Sequence, residues 1–225
     1  MQLYYITDRC AFPGNETARQ RALLTTIAEA ARASVDYIQL REKDLSARDL
    51  EQLAHAAVAV VRETRPASGD SVVKTKMLIN SRVDIALAAG ADGVHLRGDD
   101  ISPREVVAIR AACGGRAQEG LREFEIAVSC HSLEEVRRAD REGATFAVLA
   151  PVFCKPGSPE VPSLGLEALK TACAGRLPIF ALGGITLENA RVCHNAGATG
   201  VAGIRLFQNS NIERVAAMLH NERTT

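Results

Sequence analysis

Tryptophan is absent from this sequence, and three tyrosines and six phenylalanines are the only aromatic residues among 225. The core therefore has to be filled mainly by aliphatic side chains. Net charge is absent too: 27 Lys and Arg balance 27 Asp and Glu, so no overall field draws the protein to nucleic acid or to an anionic membrane. An anionic small molecule would have to be met by locally concentrated charge. The sequence holds no uncharged apolar run of membrane-spanning length and no basic-then-apolar leader. Its six cysteines (Cys10, Cys113, Cys130, Cys154, Cys173 and Cys193) never fall at CxxC spacing, which removes the pattern of a zinc ribbon or a thioredoxin-like motif. These absences lead us to expect a reduced, cytoplasmic protein with no nucleic-acid or membrane partner; a homo-oligomer is compatible with them. No low-complexity linker divides the chain, so residues 1–225 are expected to form one domain, long enough to bury about 70% of its unfolded surface.

What the sequence does have is alternation. Short β-rich runs (3–7, 37–40, 76–80, 93–96, 125–129, 146–152, 178–182 and 200–204) alternate with segments of helical period at about 17–33, 46–64, 82–89, 103–113, 132–142, 165–174, 187–196 and 211–221. Helix starts are signalled by Ser46, by Ser102 before Pro103, by Ser132 with Glu135 as a capping box, and by Thr186. Gly90, Gly143 and Gly197 stand where helices should end. Eight βα units without a GxGxxG loop point to a closed (β/α)8 barrel rather than an open dinucleotide-binding sheet. Two polar stretches, 65–75 and 114–124, precede strands and belong to the stability face. The Pro/Gly-rich loop 154–163 follows a strand, where a barrel builds its active site and a long loop acts as a lid.

Barrel chemistry sits at the C-terminal strand ends, so polar residues there are the candidates. Strand by strand they are Thr7, Asp8 and Arg9; Gln39, Arg41 and Lys43; Asn80; His95, Asp99 and Asp100; Ser129 and His131; Lys155; Gly183 and Gly184; and Gly203 with Arg205. GGI (183–185) and GIR (203–205) follow the seventh and eighth strands, where barrels often hold a phosphate on backbone amides. Arg41 and Lys43 alternate with Glu42 and Asp44. They either clamp a second anionic group or pair with those acids at a solvated strand end. Asp100 is the best-placed carboxylate for a Mg²⁺ that bridges phosphate oxygens, its alternative being a solvated loop before the Ser102 cap. His95 reads as a packed or rim-orienting histidine. His55, His194 and His220 read as surface or packing residues, and Cys130 and Cys154 as bystanders.

Taken in order, ITDR (6–9), QLREK (39–43), LINSRVDIALAAGADGVHL (78–96), VSCHSLEE (128–135), APVF (150–153), GLEAL (165–169) and ALGGITLENA (181–190) resemble the thiamine phosphate synthase and TenI-type thiazole tautomerase superfamily over nearly the whole chain. The resemblance implies a (β/α)8 barrel in thiamine biosynthesis. Synthases of this kind join hydroxymethylpyrimidine diphosphate to thiazole phosphate and release diphosphate with Mg²⁺ assistance. The resemblance further implies that Arg41 and Lys43 bind diphosphate with Asn80 and Ser129, that Gln39 lies near the pyrimidine, that Asp100 is a magnesium ligand, and that Gly183 and Gly184 hold the thiazole phosphate.

The chain also departs from that pattern. Ser81 stands where synthases usually carry the other magnesium aspartate, so the metal site is expected to be weakened. The loop CKPGSP lacks the usual threonines and offers Lys155 out of register, and Arg205 stands about where the family has a small serine. The tautomerase alternative needs no carboxylate pair and uses a histidine in an S-x-H-S motif like SCHS (129–132), which makes His131 its acid/base candidate. A non-catalytic binder of thiamine precursors is the third reading. Retention of Gln39, Arg41, Lys43, Asn80, Asp100 and Ser129 favours the synthase.

Overall fold

The computed structural model describes residues 1–64, 75–113, 124–154 and 162–220. Eight parallel strands, β1 (Gln2–Ile6), β2 (Tyr37–Leu40), β3 (Lys76–Asn80), β4 (Gly93–Leu96), β5 (Glu125–Cys130), β6 (Phe146–Leu149), β7 (Ile179–Ala181) and β8 (Gly200–Gly203), pair in chain order. β8 returns to pair with β1 and closes the barrel. Outside it lie α1 (Glu16–Arg32), α2 (Ala47–Glu63), α3 (Val83–Ala88), α4 (Pro103–Cys113), α5 (Leu133–Glu142), α6 (Gly165–Cys173), α7 (Leu187–Asn195), α8 (Arg205–Gln208) and α9 (Ile212–His220).

The capping residues behave as their chemistry requires, each offering a side-chain oxygen to an amide that the first helical turn leaves unpaired. The oxygens of Ser46, Ser132 and Thr186 accept from the amides of Asp49, Glu135 and Asn189, and Thr186 forms a full capping box with Asn189. Ser102 does the same with Glu105, whose carboxylate reaches back to the Ser102 amide at 2.7 Å. The Glu135 carboxylate instead accepts from the amide of His131, one residue before the cap.

Two apolar layers result. Outward-facing strand residues such as Leu3, Ile38, Ile79, Val94 and Leu149 pack beneath the helices, while Tyr4, Ile6, Leu78, Phe146, Val148 and Phe180 fill the barrel. The few aromatic residues are concentrated here: Tyr4, Tyr37, Phe146 and Phe180 interlock with ring centroids 4.9 to 5.8 Å apart. Room for these rings comes from small neighbours. A Cβ at Gly200 would lie 2.2 Å from the Gln2 carbonyl and 2.6 Å from the Phe180 ring.

Two expectations need correction. The sixth strand ends at Leu149, not at residue 152. Pro151 follows, joined by a cis peptide to Ala150, and without an N–H it cannot continue a ladder. The Val152 amide turns instead to the Leu182 carbonyl at 2.8 Å. Two helices follow the eighth strand where one was expected, because the four-residue α8 is too short to show a period. A 3-10 turn, Arg9–Ala11, also follows β1. The stretches 65–74 and 114–123 and the centre of the expected lid, 155–161 with Lys155, lie outside the described residues.

Candidate active site

The register of the barrel brings the polar strand ends to one rim. Asn80 of β3 stands opposite His95 of β4. The Gln39 side chain, from buried β2, donates to Asn80 Oδ1 at 3.0 Å, and Asn80 Nδ2 donates to Ser81 Oγ at 3.0 Å. Ser81 takes a left-handed backbone (φ 62°) while its amide donates to the His95 carbonyl at 2.8 Å. His95 is buried, with Nδ1 2.9 Å from the Tyr4 hydroxyl and Nε2 2.7 Å from Ser129 Oγ. Burial first, then the nearby charge of Arg41, pushes its imidazole down to about 3, so the ring is neutral at physiological pH.

The structure removes one of the two sequence readings of QLREKD, the pairing of its cations with its own acids. Glu42 and Asp44 pair with Arg9, which departs from the rim expected of it and lies 3% exposed in a cage of acids. Its guanidinium meets the Asp44 carboxylate through two bonds of 2.6 and 2.8 Å, Glu42 at 3.4 Å and Glu16 at 2.7 Å. Thr7 completes the cage by donating to Glu42 Oε1 at 2.5 Å and accepting from the Arg41 amide at 3.0 Å. Hydrogen bonding to Arg9 holds the Asp44 carboxyl down at about 2, whereas burial holds Glu42 above its ordinary value. The acids of the motif thus turn away with Arg9. The side chains of Arg41 and Lys43 make no ion pair with a described residue.

These cations crowd one another. Arg41, then burial, then Arg97 hold the Lys43 ammonium below its ordinary value, against an opposing pull from Asp99. Two acids temper this crowding from the β4 side, Asp99 and Asp100, which lie 3.1 and 3.5 Å from Arg97 Nη2. Arg97 was not singled out from the sequence, although it follows β4 by the same strand-end rule that selected His95. Tyr4 was missed as well. Its only signal was its place within the alternating strand β1.

Asp100 shows a different pattern. Its Oδ2 accepts from the Arg97 amide at 2.7 Å and its Oδ1 lies 3.5 Å from Arg97 Nη2, which holds the carboxylate in its turn with its side chain 11% exposed. Among the described residues no three His, Cys, Asp or Glu side chains are grouped to hold a metal. One carboxylate suits only a cation that brings most of its ligands with it, as Mg²⁺ bound to phosphate oxygens and water does.

On the far side, consecutive positive φ values at Gly183 (96°) and Gly184 (62°) fold the loop after β7 closely against the end of β6. A Cβ at Gly184 would come within 2.7 Å of the Cys154 carbonyl, and one at Gly183 within 2.7 Å of Pro151. Only glycine suits both the backbone and the space. The adjoining β8 ends at Gly203, after which Arg205 begins α8. His131 is exposed at the end of β5, and its Nδ1–H donates to the Ala150 carbonyl at 2.8 Å, which leaves Nε2 as the acceptor of a neutral ring. Cys130 is buried with its thiol pushed up to about 12 by desolvation, which removes it as a nucleophile.

The chain matches the thiamine monophosphate synthase family model over residues 3–207. It is 37% identical to the putative thiamine-phosphate synthase 2 of Aquifex aeolicus, over 92% of this chain and 97% of that one. Identity to the thiamine-phosphate synthase of Syntrophomonas wolfei is 34%, over 96% and 93% of the two chains. The solved thiamine phosphate pyrophosphorylase from Pyrococcus furiosus superposes with a TM-score of 0.76 at 26% identity, covering 98% of this chain and 94% of that one. A closed eight-stranded barrel that the family model matches from its first strand to its eighth belongs to the thiamine monophosphate synthase family.

Proposed function

We propose that this protein joins hydroxymethylpyrimidine diphosphate to thiazole phosphate and releases diphosphate. The observation that carries this reading is the separation of charge at the end of β2, where Arg9 removes both acids of the motif and Arg41, Lys43 and Arg97 remain crowded at the rim. In the reaction the methylene C–O bond breaks, its electron pair leaves with the diphosphate, and the thiazole nitrogen attacks the pyrimidine-stabilised cation. Cations aimed at the leaving group act where negative charge develops, which is the most effective place to lower the barrier.

In this assignment Arg41 and Lys43 neutralise the diphosphate, Asn80 and Ser129 donate to it, and Gln39, fixed by Asn80, borders the pyrimidine. Lys155, outside the described residues, is assigned to the same group from its sequence position after β6. Gly183, Gly184 and Gly203 hold the thiazole phosphate. A Mg²⁺ entering with the diphosphate, with Asp100 as its one protein carboxylate, would add further neutralisation of the leaving group.

The test is thiamine phosphate formation by purified protein with Mg²⁺ and then with excess chelator. Product that disappears on chelation is expected. Absence of product from folded protein would sink the proposal and turn attention to His131, whose anchored Nδ1 and accepting Nε2 suit proton transfer in a thiazole tautomerisation.

A further inference from the structure

The buried pair Tyr4–His95 extends the site inward from the rim, and its hydrogen atoms can be placed by elimination. The Tyr4 phenol is fully buried among Tyr37, Phe146 and Phe180, and burial keeps it protonated at any working pH. Its single proton needs an acceptor. His95 Nδ1, 2.9 Å away, supplies one, because the ring is neutral and carries one hydrogen. The opposite tautomer would set Nδ1–H against the phenol oxygen and strand the phenol proton among aromatic rings, an uncompensated loss worth about 1–3 kcal/mol. With Nδ1 accepting, the ring hydrogen is on Nε2 and donates to Ser129 Oγ at 2.7 Å. Ser129 is half-buried at the end of β5 and now accepts from behind, so its own O–H is the group left to point into the cleft.

We propose that Tyr4 and His95 are positioning residues that fix the Ser129 hydroxyl as a donor toward the leaving diphosphate. This rests on the synthase reading for the identity of the anion, while the direction of the chain Tyr4→His95→Ser129 rests on the hydrogen-bond geometry and on the burial that keeps both rings uncharged. A serine free to rotate spends part of its time with lone pairs toward an anion. One locked as a donor meets the developing charge without reorganisation.

The experiment combines ¹⁵N-histidine NMR, with His95 assigned from His95→Gln, and titration with inorganic diphosphate plus Mg²⁺ for the wild type, Tyr4→Phe, Ser129→Ala and the double variant. Expected are an Nε2–H tautomer for His95 in the wild type and, in Tyr4→Phe, where Nδ1 has no partner in either tautomer, a mixture of the two. Diphosphate affinity should fall about tenfold in Ser129→Ala and severalfold in Tyr4→Phe, with the double variant no weaker than Ser129→Ala. An Nδ1–H tautomer in the wild type, an unchanged tautomer in Tyr4→Phe, or additive losses in the double variant would overturn the proposal. If the wild type shows the expected tautomers but binds no diphosphate, the synthase reading falls and the role toward diphosphate falls with it, whereas the relay to Ser129 stands.

Discussion

Replacing Arg9 by methionine tests whether the acid cage is what leaves Arg41 and Lys43 to the ligand. Of the three carboxylates that Arg9 meets, Asp44 and Glu16 are 59% and 46% exposed, so solvent screens both pairs and they add little. Glu42 is 1% exposed, and removing its countercharge leaves a buried carboxylate, a change that typically costs about 3–5 kcal/mol. Glu42 keeps its bonds from the Thr7 hydroxyl and the residue-9 amide, so the low end applies and about 3 kcal/mol is expected by urea denaturation. The double variant Arg9→Met/Glu42→Gln should recover most of that loss. Diphosphate affinity should fall in the single variant, because Asp44 is released beside Lys43. A loss below about 1 kcal/mol, or no recovery in the double variant, would refute the cage as a unit.

The pH dependence has a defined sign. Asp44 is depressed to about 2 in the folded protein, so its stabilisation is complete above its unfolded value near 4 and disappears as pH falls from about 4 to 2. Glu42 is raised, so its ionisation works against folding and its protonation at lower pH favours the fold. Without Arg9 that upward push increases. The stability deficit of Arg9→Met should therefore shrink between about pH 8 and about pH 5.

Lys43→Ala and Asp100→Ala are each expected to lower thiamine phosphate formation at least about tenfold, and unchanged rates in both would remove the diphosphate mechanism. Gly184→Ala forces a Cβ to 2.7 Å from the Cys154 carbonyl at φ 62°. It should lower the melting temperature and raise KM for thiazole phosphate, an unchanged melting curve being the contrary result. Native alkylation followed by mass spectrometry should label exposed Cys10 and Cys154 and spare buried Cys130; fast labelling of Cys130 would contradict its packing.

The barrel was legible because eight apolar runs with capped helices between them leave few other closures. Where the sequence misled, a local pattern met a non-local constraint. The apolar run continuing from Leu149 into Pro151 reads as strand until the ladder has to do without an N–H. The alternation REKD showed two cations and two acids, yet not which would pair. That was decided by Arg9, 33 residues before Glu42 and brought beside it by the pairing of β1 with β2. His95 was correctly read as packed or rim-orienting, but its partner Tyr4 looked like any other apolar strand residue.

Ser81 stands where the sequence reading expects a second magnesium aspartate, and its surroundings bear on what such an aspartate would do. It already adopts a left-handed backbone, a conformation that aspartate tolerates better than most residues, so Ser81→Asp adds no conformational cost. The Asn80 amide that donates to Ser81 Oγ would donate as well to a carboxylate, which leaves the Gln39–Asn80 chain intact. What changes is charge: a second carboxylate joins Asp100 on neighbouring strand ends, beside a rim dominated by Arg41, Lys43 and Arg97. If Mg²⁺ enters with the diphosphate and Asp100 alone receives it, the added carboxylate should lower the Mg²⁺ concentration for half-maximal rate at fixed substrate, by about tenfold for each 1.4 kcal/mol gained. An unchanged Mg²⁺ requirement in a folded, active Ser81→Asp protein would show that this strand end does not face the metal, and Asp100 would then have to be read as the turn residue that its bonds to Arg97 describe.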